Sequence, residues 1–114
     1  MKKNNKNENY LERVPQHPQW LSWSKDDEGK VTFDIENKGV FNRIAQIMLK
    51  KPKVSHIHLD EVGSFIWTVT DGEKNISELA LVARDEFGEK INPLYERIAQ
   101  YFKILDSYGF IEWK

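Results

Sequence analysis

The chain contains no cysteine. That excludes disulfides, thiol nucleophiles and thiolate metal sites, and it fits a reducing compartment. No apolar run approaches the roughly 20 residues needed to span a bilayer. The first nine residues, Met1 to Asn9, are rich in Lys and Asn and lack the apolar stretch of a secretory signal, so a cytoplasmic location is expected. Charge of one sign is lacking too: 17 Lys and Arg stand against 18 Asp and Glu. The resulting net charge of −1 provides no global pull toward nucleic acid or acidic membranes. Also missing are a Gly-x-Ser-x-Gly elbow, a phosphate-cradling glycine loop and a His-Glu-x-x-His pair. The carboxylate run Asp26-Asp27-Glu28 sits beside Lys25 and Lys30 in a segment of turn composition and reads as a solvated loop. A non-enzymatic chain without cofactor is expected.

What is present suits one small globular domain. The 114 residues are 39% apolar and 31% charged, with four Trp, four Tyr and six Phe. Each buried aromatic removes a large area from water, so a modest core can be well stabilised. Residues 1–9 are expected to form a disordered tail, and residues 10–114 a single domain.

Val14-Pro15-Gln16-His17-Pro18 reads as a stiff, extended lead-in, because each proline keeps its predecessor out of the α region. Trp20 to Ser24 reads as a strand, and Lys25 to Gly29 as a polar turn. Val31 to Glu36 alternates strictly, which places Val31, Phe33 and Ile35 inward on a half-buried strand and completes a hairpin. Helical spacing of Val40, Phe41, Ile44, Ile47 and Met48 predicts a short amphipathic helix over Val40 to Leu49. Val54 to Leu59 is a third strand, with Ile57 and Leu59 on one face and Val54, His56 and His58 on the other. Three helices then follow. The first starts at Asp60 as N-cap and turns Val62, Phe65, Ile66 and Val69 inward. The second is capped by Asn75 with Glu78 in a capping box and ends at Phe87-Gly88. The third takes Asn92 as N-cap and Pro93 as first helical residue, carries the stripe Leu94, Ile98, Tyr101, Phe102 and Leu105, and ends at Tyr108-Gly109. Phe110 to Trp113 is a short last strand. This order predicts an α+β fold of winged-helix type: an N-terminal hairpin and a third strand packed on three C-terminal helices, with an extra helix between strands two and three.

From Val54 onward the sequence resembles the PqqD family. The resemblance is carried by Leu59-Asp60-Glu61-Val62-Gly63-Ser64-Phe65-Ile66-Trp67, then Asp71-Gly72, Ile76-Ser77-Glu78-Leu79-Ala80, Glu86-Phe87-Gly88, and Leu105 through Ile111. It covers about the last 60 residues well and the N-terminal hairpin only loosely. Asp60 suits a helix start, Gly63 allows another element to approach closely, and Gly72, Gly88 and Gly109 suit left-handed helix ends. The resemblance implies a peptide-recognition domain that takes up a precursor or leader peptide as an added strand and presents it to a modifying enzyme, often a radical SAM protein. Carried onto this chain, the receiving edge is Val54, Ser55, His56, Ile57, His58 and Leu59, and the facing wall is the third helix with Arg97, Tyr101 and Ile104. The inserted segment Asn37 to Lys53 departs from the family, and its helix would either extend the groove or cover it.

The same residues admit other readings. His56 and His58 with Asp60 form the only metal-like cluster, but Asp60 is better used as a cap and no further ligand is placed by sequence, so no metal is expected. DNA binding through the third helix is an alternative, opposed by the acidic Glu96 and Asp106 among its expected exposed positions Glu96, Arg97, Gln100, Lys103 and Asp106. An orphan protein–protein interaction domain, using the inserted helix as its surface, is another. Trp67 is expected in the core. Of Trp20 and Trp23, three apart, one is expected to face solvent.

Overall fold

A computed structural model describes residues 10–36 and 54–114 of the chain. The expected tail, and the helix expected over Val40 to Leu49, lie outside the described residues. In chain order the elements are β1 (Pro15–Gln16), β2 (Ser22–Lys25), β3 (Val31–Glu36), β4 (Val54–His58), α1 (Glu61–Val69), α2 (Ile76–Phe87), a 3-10 turn (Gly88–Ile91), α3 (Leu94–Ser107) and β5 (Glu112–Trp113). They form an α+β fold with an antiparallel three-stranded sheet in the order β2-β3-β4 and a two-stranded sheet of β1 and β5. Among the described residues no helix is long and apolar enough to cross a membrane.

The hairpin is built by its turn. Asp26 Oδ1 accepts from the backbone N–H of Glu28 and of Lys30, each at 2.9 Å. Gly29 adopts φ 86°, a left-handed conformation that a side chain would strain. The sequence places the first strand two residues early. Trp20 and Leu21 lie before β2, where Leu21 N–H bonds to Pro18 O at 3.2 Å in a turn. The proline thus ends the lead-in with a turn rather than a strand.

Strict alternation of β3 turns Val31, Phe33 and Ile35 into the core, at 0, 0 and 4% exposure. They meet Ile66 and Trp67 of α1, Leu79, Ala80 and Ala83 of α2, and Leu94, Ile98, Phe102 and Leu105 of α3. Burial of one such aliphatic or Phe side chain contributes about 1.5–3 kcal/mol. The caps of α1 and α2 form as the sequence predicts. Asp60 Oδ1 accepts from Gly63 N–H at 2.8 Å, and Asn75 and Glu78 complete a reciprocal capping box. The start of α3 differs. Asn92 closes the preceding 3-10 turn by donating its N–H to Glu89 O at 3.1 Å, so Pro93 takes the N-cap position without a side-chain bond.

The last strand is shorter than expected, and its partner was not anticipated. Glu112 and Trp113 pair with Gln16 and Pro15, and Lys114 N–H extends the contact to Val14 O at 2.8 Å. Just before β1, Arg13 O accepts from Ile76 N–H, a free donor at the start of α2, at 3.0 Å. The Arg13 guanidinium lies 4.2 Å from the Trp113 ring centre. His17, at the end of this strap, stacks on Trp67 with ring centres 3.8 Å apart and planes 7° from parallel. Its Nε2 lies 2.9 Å from Trp67 O.

Candidate functional site

The main-chain pattern of β4 follows from one hydrogen bond. Leu59 N–H donates to Val31 O at 2.9 Å, so Val31 and Leu59 form a hydrogen-bonded pair. In an antiparallel ladder such pairs alternate with non-bonded ones. With Phe33 opposite Ile57 and Ile35 opposite Ser55, these too are bonded pairs. His58 opposite Thr32 and His56 opposite Asp34 are not. The N–H and C=O of His56 and His58 therefore point away from β3, along the outer edge of the sheet. Among the described residues β4 has β3 as its single neighbour strand.

The two faces of β4 separate as expected. Ile57 and Leu59 pack against the core. His56 and His58 are exposed, and their rings reach back across the strand pair: His56 Nδ1 lies 2.7 Å from Asp34 Oδ1 and His58 Nδ1 2.9 Å from Thr32 Oγ1. Non-bonded pairs bring side chains closest, which explains both contacts. Asp60 caps α1, and among the described residues no group of three or more His, Asp or Glu is placed to hold a metal ion. Where β3 and β4 part, buried Ser64 closes the ladder. Its Oγ accepts from Val31 N–H at 2.8 Å and donates to Leu59 O at 3.3 Å.

Helix α3 approaches this end of β4 through Gly63. A Cβ on Gly63 would sit 3.2 Å from Tyr101 Cε1 and 3.7 Å from Leu59 Cβ. The glycine is thus the point where α1, α3 and the end of β4 meet, as its predicted role in close approach requires. Tyr101 donates its hydroxyl proton to Gly63 O at 2.8 Å. Burial, and secondarily the carboxylate of Asp60, raise its pKa far above the ordinary phenol value. Tyr101 is therefore a fixed strut that presents its ring edge, not a freely rotating contact. Arg97, Tyr101 and Ile104 fall on one face of α3 at helical spacing. With Glu96 and Gln100 they line a shallow depression of about 360 Å³. Ile104 is 47% exposed, and Arg97 spends one N–H on Lys90 O at 3.0 Å.

The positions expected to face solvent on α3, Glu96, Arg97, Gln100, Lys103 and Asp106, are all exposed. Lys103 Nζ stands 5.3 Å from the Tyr10 ring centre, so both cations of this face already have partners. A second cleft of about 310 Å³ runs along α3 between Tyr10, Leu11, Tyr95, Ala99 and Lys103. The sequence gives no sign of it, because Tyr10 and Leu11 are far away along the chain. Of the two hairpin tryptophans, Trp23 is half-buried and edge-on to Trp67, while Trp20 is 49% exposed. The role of His17 was also missed. Its only local signal is its place between two prolines that hold the strap extended.

Comparison with protein families, with curated proteins and with solved structures finds no match for this chain.

Proposed function

We propose that this chain is a non-catalytic peptide-binding adaptor, PqqD-like in its winged-helix arrangement, which takes up a precursor or leader peptide as a strand beside β4 and presents it to a modifying enzyme in the cytoplasm. The carrying observation is the outward-pointing main chain of His56 and His58, on a strand whose Leu59 end approaches Gly63 and Tyr101, with Tyr101 lining the apolar depression of α3. Strand addition needs both: a row of donors and acceptors for the peptide backbone, and a wall that selects alternate side chains. The resemblance over Leu59 to Ile111 supports the same reading and suggests a radical SAM enzyme as second partner.

The test is titration with a leader peptide encoded by a short neighbouring reading frame, followed through backbone amide shifts. Shifts concentrated at Val54 to Leu59 and at Arg97, Tyr101 and Ile104 are expected. Shifts elsewhere, with these residues unmoved, would defeat the proposal. DNA binding through α3 is disfavoured by Glu96 and Asp106 on its exposed face. A salt series separates the two readings, since phosphate contacts weaken steeply with added salt and strand addition far less.

A further inference from the structure

Resting on the strand-addition reading, we infer that the segment received by β4 carries carboxylates on its solvent-facing side, and that His56 and His58 recognise them by taking up protons. The argument starts from the rings. A carboxylate can only accept, so the 2.7 Å contact between Asp34 Oδ1 and His56 Nδ1 places the ring proton on Nδ1. Nε2 of the same ring is where a second proton adds. No described residue bonds to Nε2 of His56 or of His58; the contacts of both rings are made through Nδ1. The His56 side chain is 58% exposed, so Nε2 is open to an incoming group.

Position supplies the second half of the argument. The two histidines are also the residues whose main-chain groups point outward. A strand added there lies about 4.8 Å beyond β4. Its side chains on the solvent face stand opposite His56 and His58, while those between them turn to the other face of the sheet, the one that Ile57 occupies. A carboxylate opposite an imidazole Nε2 holds the second proton in a charge-assisted hydrogen bond, whereas an amide gains little from it. Among the described residues, the charged groups facing the two rings from the neighbouring strands are Asp34 and Glu36 of β3, and β2 adds Ser22 and Ser24 on that face. Asp34 is already engaged by His56. At the wall, Arg97 is bonded to Lys90 O and Glu96 lines the same depression, so the selection for carboxylates rests on the two histidines. The ligand class is therefore an extended segment with acidic residues alternating with apolar ones, bound more tightly as pH falls.

Three capped synthetic hexapeptides test this with the full 114-residue chain: alternating Glu-Val, alternating Gln-Val and alternating Lys-Val. Binding is followed by amide shifts at about pH 5.5 and about pH 8, on either side of the imidazole range. The Glu peptide should bind roughly five-fold more tightly than the Gln peptide at the lower pH, and within about two-fold at the higher, as expected for exposed charge pairs. The double substitution His56→Gln and His58→Gln, both at exposed positions, should abolish the preference while amide shifts at positions 56 and 58 persist. Equal binding of Glu and Gln peptides at both pH values, an unchanged preference in the double variant, or tighter binding of the Lys peptide would each overturn the inference and leave strand addition standing. Absence of β4 shifts with all three peptides would instead remove the strand-addition reading, and this inference with it.

Discussion

At the scale of single residues, Gly63 and His17 have the clearest consequences. A methyl on Gly63 would lie 3.0 Å from Asp60 Oδ1 and 3.2 Å from Tyr101 Cε1, tighter than either neighbour accommodates without moving. Gly63→Ala should cost about 1–3 kcal/mol, the usual range for overpacking, and should shift the resonances of Tyr101. Tyr101→Phe removes only the hydroxyl bond to Gly63 O and should cost about 0.5–1.5 kcal/mol. Urea denaturation of the two variants checks the order. His17 makes a prediction about pH. Burial lowers its pKa, only partly opposed by its bond to Trp67 O. The native state therefore favours the neutral ring and the unfolded chain binds the proton more readily. Its contribution to stability is complete above the ordinary imidazole pKa of about 6.5 and is lost as pH falls below that value toward the lowered native pKa. Denaturation midpoints measured from about pH 7.5 down to pH 5 should fall in the native chain. A smaller slope is expected for His17→Gln; equal slopes would show that His17 carries none of the effect.

At the scale of elements, what the sequence foretold and what it missed divide by the range of the interactions involved. The capping box of Asn75 and Glu78 closes over four residues and was legible from local chemistry. Asn75→Ala should cost about 1 kcal/mol, read as a lower thermal midpoint. Alternation in β3 was equally legible, because its period is fixed by the pleat. The start of α3 was placed one residue early because the 3-10 turn competes for Asn92, and nothing in Gly88-Glu89-Lys90-Ile91 announces such a turn. Ser64 was invisible in its real role. On a helix it looks like a neutral polar residue, yet it satisfies a buried strand amide 33 positions away. Ser64→Ala should leave Val31 N–H without an acceptor and cost about 1–3 kcal/mol, more than the loss of an exposed cap. Hydrogen exchange at Val31 gives a direct reading.

At the scale of the whole molecule, the core stripes of α1, α3 and β3 were legible because each declares an inward face by its period. The candidate site was legible only in part. The sequence named β4 and the three α3 residues, but the outward set of main-chain groups depends on ladder register, and the fixed state of Tyr101 depends on a contact between helices. The pairing of β1 with β5 was illegible altogether, since two-residue strands carry no period and their residues lie almost a hundred positions apart. That pairing has a consequence for engineering. Pro15 and Trp113 are neighbours, so the polypeptide can be rewired into a new order: a short flexible bridge from Lys114 to Tyr10, with fresh ends opened in the exposed turn at Asp27-Glu28. Such a permuted chain should keep its circular-dichroism spectrum, and it would show that the strap and last strand owe their places to each other rather than to the direction in which the polypeptide is read.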